Sequence, residues 1–204
     1  VLKLGFPMYL GFGLFSLPWG LFADRFGNRI ALIICFFGTS VGSIMTVLAT
    51  SPTQIMLSLA VIGIFAGICH PAGMGLISLG VKNRGMALGI NAIAGSIGLT
   101  AAPFLAGLLN WVAGWKAAYL TAAVFALSWG IAMLFAKIDE TPLVHAHEKN
   151  PTFKKGHGAY LPSLILFFVI VTLGGLAYRI NIVVLPAYLE LKASFLSDLL
   201  HFQA

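Results

Sequence analysis

Charge is what this 204-residue chain has least of: 9% of its residues are Asp, Glu, Lys or Arg, against about 25% in a typical globular domain. So few solvated groups cannot cover one compact water-soluble domain, because the apolar surface between them would associate. An ordinary soluble fold is excluded, and lipid is the solvent for much of the chain. Cysteine is nearly as scarce. Cys35 and Cys69 each lie inside an apolar run, so no disulfide framework and no metal-binding box is written here. Acidic residues number 6 against 12 basic ones, and the resulting net charge of +6 invites a comparison with nucleic-acid binders. The basic residues are scattered between apolar stretches and form no basic face interleaved with aromatics. That argues against nucleic acid and leaves anionic membrane lipids as their partners. A cleavable signal peptide is also lacking, since the first apolar run has no basic start followed by a short core and a small-residue cleavage site. No cofactor is called for.

What the chain has in abundance is apolar length. Hydrophobic residues make up 59% of it, the mean hydropathy is +0.97, and there are 23 glycines, a residue that lets membrane helices approach closely. A hydrocarbon core about 30 Å thick needs roughly 20 apolar helical residues. Stretches near 4–23, 30–49, 54–79, 86–109, 115–136 and 160–186 meet that need, and the expected fold class is an all-α polytopic transmembrane helical bundle. The last span carries Pro162 and Pro186 near its ends, with Arg179 and Asn181 inside it, and a break or tilt is expected in its outer third. Segment 194–204 matches no expected span and reads as a short extracytoplasmic segment or an irregular end.

Sidedness follows from Lys and Arg. Arg25, Arg29, Lys82, Arg84, Lys137, Lys149, Lys154 and Lys155 fall on one side, whereas Lys3, Lys116 and Lys192 fall on the other. The first group is expected in the cytoplasm. Trp111 and Trp115 bracket one of the opposite turns, as interfacial aromatics do. The long polar stretch 137–159 cannot bury a core and reads as a cytoplasmic linker. Within it His145 and His147 look like part of a metal triplet, but a linker supplies no supporting shell, and a solvated loop is expected. The chain thus divides into 1–136, an N-terminal helical half with five visible spans, the linker 137–159, and 160–204, the start of a second half. Five spans before a linker, with Val1 at the edge of a span, lead us to expect a fragment lacking its first span and most of its second half.

One loop carries a family likeness. Between the first two spans stands Gly20-Leu-Phe-Ala-Asp24-Arg25-Phe-Gly27-Asn28-Arg29. Gly20 and Asp24, four apart, share one helical face, Gly27 permits a tight reversal, and Arg29 opens the next span at headgroup level. This loop resembles the signature G-x-L-A-D-R-x-G-R-R/K of the major facilitator superfamily, with Asn28 where a basic residue is more common. Gly95, Gly98, Pro103 and Gly107 form a second, looser likeness, to the family's G-x-x-x-G-P-x-x-G-G in its fifth span; Ala102 and Ala106 replace two glycines and Gly98 is displaced. Gly114-Trp115-Lys116-Ala-Ala-Tyr119 resembles the G-W-R-x-x-F start of the sixth span.

The resemblance implies the general transporter fold of that family, here incomplete, with the visible runs as its second to seventh spans. It implies a secondary active transporter of a small-molecule solute, with a coupling proton or ion as a further partner, and two helical halves rocking about a central site. Gly20, Asp24, Arg25, Gly27 and Arg29 would form a conformational latch, and Gly95, Pro103 and Gly107 a face for helix packing and bending.

Residues that ionise at membrane depth are functional candidates. His70, followed by Pro71, is the only imidazole in a span, and Pro71 is expected to disrupt the helix near Gly67. Arg179 could pair with an anionic solute. Both are candidates for solute or coupling chemistry; the plainer alternatives are a neutral His70 bonded to a neighbouring helix and an Arg179 snorkelling to headgroups. Ser96, Thr100, Asn91 and Asn181 either line a passage or hydrogen-bond between helices. An intramembrane enzyme would need paired catalytic groups, and His70 has no evident charged partner, so the chain is not expected to be an enzyme. A truncated piece without activity of its own is the remaining alternative.

Overall fold

Two single-residue reversals set the geometry of the chain, and both are glycines in the left-handed half of backbone space. Gly27 (φ 98°) joins α1 (Leu2–Phe26) to α2 (Asn28–Leu48), and Gly114 (φ 81°) joins α5 (Arg84–Ala113) to α6 (Trp115–Phe135). A side chain at either would clash with its own backbone, so glycine is what permits helices to reverse there with no loop. The remaining helices of this computed structural model are α3 (Pro52–Ala66), α4 (Cys69–Gly80) and α7 (Leu161–His201). The structure describes residues 2–81, 83–138 and 161–201, and among these there is no strand. Linker residues His145 and His147 lie outside them.

The start of α3 shows how local chemistry fixes a boundary. Ser51 Oγ accepts the Gln54 N–H at 3.3 Å while Gln54 Oε1 accepts the Thr50 N–H at 2.8 Å, so donors near the helix start are satisfied in both directions. Pro52 occupies the first turn, where its missing N–H costs nothing.

Among the described residues six segments are long and apolar enough to cross a membrane. They match the six expected spans, with two differences. The third, Pro52–Ser78, is made of two helices, because the chain leaves the regular ladder at Gly67 and Ile68. Ile68 N–H donates to Phe65 O at 3.1 Å, a three-residue step, and Pro71 has no N–H to return to Gly67. The sixth does not break at Pro186: α7 continues through it and through the segment after 194 as far as His201. A proline in an apolar helix forfeits one backbone hydrogen bond without ending the helix. At about 1.5 Å per residue its 41 residues extend roughly 60 Å, about twice the hydrocarbon thickness.

The helices fall into two units, α1–α6 within Val1–Lys149 and α7 within Asn150–Ala204. In the first, α2 is central, touching α1, α3, α4 and α6, while α1 lies along α3 and α4, and α5 packs on α4 and α6. Lipid gives no hydrophobic drive for helices to associate, so close approach of backbones must supply it. Glycines do this. A Cβ on Gly38 would run into the Phe65 ring, one on Gly63 into the Met8 carbonyl, and one on Gly42 would sit 2.7 Å from Ile62 Cγ1. Buried hydroxyls add polar ties: Ser40 Oγ donates to Ala123 O of α6 at 2.9 Å, and the Thr46 hydroxyl is shared between Gly42 O and Ser58 Oγ, each 2.9 Å away.

The apolar runs that carry Cys35 and Cys69 are brought side by side. Because α2 and α4 pack together, residues 34 apart in sequence have Cα atoms 6.2 Å apart and are joined as a disulfide. The expectation of no disulfide is therefore corrected: separate runs say nothing about distance once helices pack across the bundle.

Candidate functional site

The signature loop is built from the end of α1 and the start of α2. Gly20, on α1, faces Pro71 of α4, and a Cβ there would lie 3.6 Å from Pro71 Cβ, ordinary contact. Asp24 and Arg25 are exposed in the last turn of α1, and the Arg25 guanidinium lies 5.5 Å from the centroid of the Phe26 ring. At the turn, Gly27 N–H closes α1 on Ala23 O at 2.9 Å, and Gly27 O receives Ala31 N–H at 3.2 Å to open α2.

Arg29 ties this loop to α6. Its Nε donates to Met133 O at 3.3 Å and its Nη2 to Leu134 O at 2.8 Å, both at the end of α6. A helix ends with carbonyls that have no partner in their own ladder and with the negative end of its dipole. Ala132 O is taken by Ala136 N–H at 3.0 Å, and Arg29 takes the next two. A planar, permanently charged fork suits two adjacent acceptors in a way a lysine would not. Arg29 also lines an open cleft with Phe135 and Lys137. Asn28, where the family more often has a basic residue, is buried, and its side chain comes close to Gly75 of α4; a Cβ on Gly75 would overlap it.

His70 stands in the first turn of α4, exposed, with the Phe12 ring of α1 edge-on at 5.7 Å. Its neighbour Pro71 is the residue that meets Gly20, so the loop helix and the broken span touch at this point. Arg179 lies in α7; its side chain is outside the described part of the structure.

Helix α5 carries the small-residue face. The helix runs unbroken through Pro103, and among the described residues nothing beyond its own adjoining turns lies within 4 Å of where a Cβ on Gly95, Gly98 or Gly107 would sit. Its hydroxyls turn inward on their own helix: Ser96 Oγ donates to Ala92 O and Thr100 Oγ1 to Ser96 O, each at 2.9 Å. Asn181 of α7 does the same, to Ala177 O. These short side chains satisfy themselves one turn back. The interhelical bonding expected of them is carried instead by Ser40 and Thr46 on α2. Only Asn91 of that set reaches across, to the Met74 sulfur at 4.0 Å. Ser96, Ile97, Thr100 and Phe104 line a shallow open cleft.

Two contacts were not anticipated by sequence reasoning. Trp19, beside Gly20, donates its indole N–H to Ile64 O at 2.9 Å. Ile64 is the carbonyl that Ile68 abandons at the break, so α1 supplies the missing donor. The Cys35–Cys69 bond ties the opposite side of the same break to α2. The signal for both was present but weak: a tryptophan next to a signature glycine, and two cysteines in separate spans.

Comparison with known proteins agrees with this architecture. The chain is 28% identical over 162 residues to "Multidrug resistance protein MdtG" of Serratia proteamaculans, covering 76% of this chain and 38% of that protein. It is 28% identical over 120 residues to a "Probable L-galactonate transporter" of Escherichia coli, 58% of this chain and 26% of the relative. Against a "Triacylglyceride transporter" of Mycobacteroides abscessus the identity is 27% over 135 residues, 65% of this chain and 25% of the relative. The chain thus spans less than two-fifths of the length of these curated relatives. The family profile of the Major Facilitator Superfamily matches residues 5–200. With apolar spans, a one-glycine signature turn and a match along nearly its whole length, this integral, multi-pass membrane chain belongs to the Major Facilitator Superfamily.

Proposed function

We propose that the chain is part of a secondary active transporter that moves a small solute by alternating access between two helical halves. The observation that carries this reading is the Arg29 clamp, which ties the signature loop to the end of α6 so that α1, α2 and α6 move as one body. In this reading Asp24, Arg25 and Arg29 form a conformational latch on the cytoplasmic face. His70 and Arg179 serve solute or coupling chemistry, and a proton is the coupling ion that an imidazole suits. The basic ends of the helices face the cytoplasm of a bacterial cell, across its inner membrane, and an anionic headgroup occupies the cleft between Arg29 and Lys137.

The relatives are named for solutes of different polarity, so three probes are needed: a hydrophobic cationic dye, a sugar acid and a triacylglyceride. The complete protein in proteoliposomes should move one of them, faster with an imposed pH gradient. Asp24→Asn should slow that movement while leaving expression unchanged. Equal rates would remove the latch, and reporter tags at Asn83 and Lys149 found outside an intact cell would reverse the sidedness.

A further inference from the structure

The break between α3 and α4 is held from two sides. On one, Trp19 of α1 donates to the Ile64 carbonyl. On the other, Cys69, the first residue of α4, is bonded to Cys35 of α2. The bond sits in the core of the unit with Ala23, Ala31, Ile68 and Ala72; Cys35 is 1% exposed and Ile68 fully enclosed, whereas Cys69 is partly open. The hydrogen bond with Trp19 breaks and reforms on thermal timescales, but a covalent bond at the first residue of α4 does not. It fixes the joint for as long as the sulfurs stay oxidised.

We propose that Cys35 and Cys69 form a reversible dithiol–disulfide site inside the membrane that sets whether the Gly67–Ile68 joint can move. With the bond formed, α4 is welded to α2. With both thiols reduced, α4 turns about the joint and carries His70 and Gly75 with it. Both cysteines lie in candidate membrane spans, so the reactants are lipid-soluble. In oxidation a membrane-dissolved quinone takes two electrons and two protons: two S–H bonds break, one S–S bond forms, and the quinone leaves as quinol. In reduction a permeant dithiol attacks the more open sulfur, that of Cys69, and Cys35 leaves as a thiolate and is protonated. The reagent's second thiol then closes on its first sulfur and releases Cys69 as a thiol.

The test uses the complete protein in nanodiscs, treated with decyl-ubiquinone or with dithiothreitol, and no readout needs solute movement. Alkylation and peptide mapping should find the two cysteine peptides linked after quinone, and each carrying one alkyl group after dithiol. Backbone amides of residues 64–70 and of Ala72 should exchange about tenfold faster in the reduced state, since a local opening freed of its tie lies at lower free energy. Cys35→Ala should exchange at the reduced rate under both treatments, and Trp19→Phe should speed exchange in both states without abolishing their difference. Free thiols after quinone, or equal exchange in the two states of the unmutated protein, would overturn the proposal whether or not the variants fold.

Discussion

Gly63 and Gly67 on one side of the bundle, and Gly85 and Gly89 on the other, are the same pattern in sequence: two glycines four apart in an apolar run. Their surroundings have nothing in common. At Gly63 the Met8 backbone of α1 occupies the space a side chain would take, and at Gly67 a Cβ would lie 2.9 Å from Phe12 O. At Gly85 and Gly89, as at Gly95, Gly98 and Gly107 further along α5, nothing among the described residues beyond the helix's own adjoining turns lies within 4 Å. Glycine holds helices together only where a neighbouring helix has come to fill the gap. The spacing itself licenses contact without ensuring it.

Substitutions should separate the two regions. Gly63→Ala should have the largest effect, because the obstacle is main chain and cannot swing aside: overpacking costs about 1–3 kcal/mol, read as a lower thermal midpoint in detergent. A midpoint equal to that of the unmutated protein would mean that α1 and α3 are not in such close contact. Next comes Arg29→Ala, which leaves the Met133 and Leu134 carbonyls without their donor at the end of α6 and should cost about 1 kcal/mol. Arg29→Lys should recover only part of it, since an ammonium is a point charge. Gly95→Ala should change the midpoint least, within about 0.5 kcal/mol, and a large loss there would show that α5 is packed after all.

Much of the fold was legible in the residues alone. Spans follow from apolar length, which in lipid is nearly the whole requirement, and the reversals follow from Gly27 and Gly114 at the span boundaries. The break near Gly67 was readable from Pro71, because a missing N–H is a covalent fact. Partners were not legible. Which hydroxyl reaches across and which bonds back depends on rotation about the helix axis, so Ser40 and Ser96 look alike in sequence and do opposite things. The Cys35–Cys69 bond was missed for the same reason: it needs two particular faces to meet. Pro186 misled in the other direction, since one lost hydrogen bond is too small a penalty to stop an apolar helix.

The reach of Arg29 has a bearing on how the protein is made. It emerges from the ribosome 105 residues ahead of Leu134, so for most of the unit's synthesis its guanidinium has neither carbonyl to hold. Those two bonds must wait until the sixth helix is threaded. When that helix docks, an arginine made 105 residues earlier caps its terminus, and two distant portions of the nascent polypeptide are sealed together in one step.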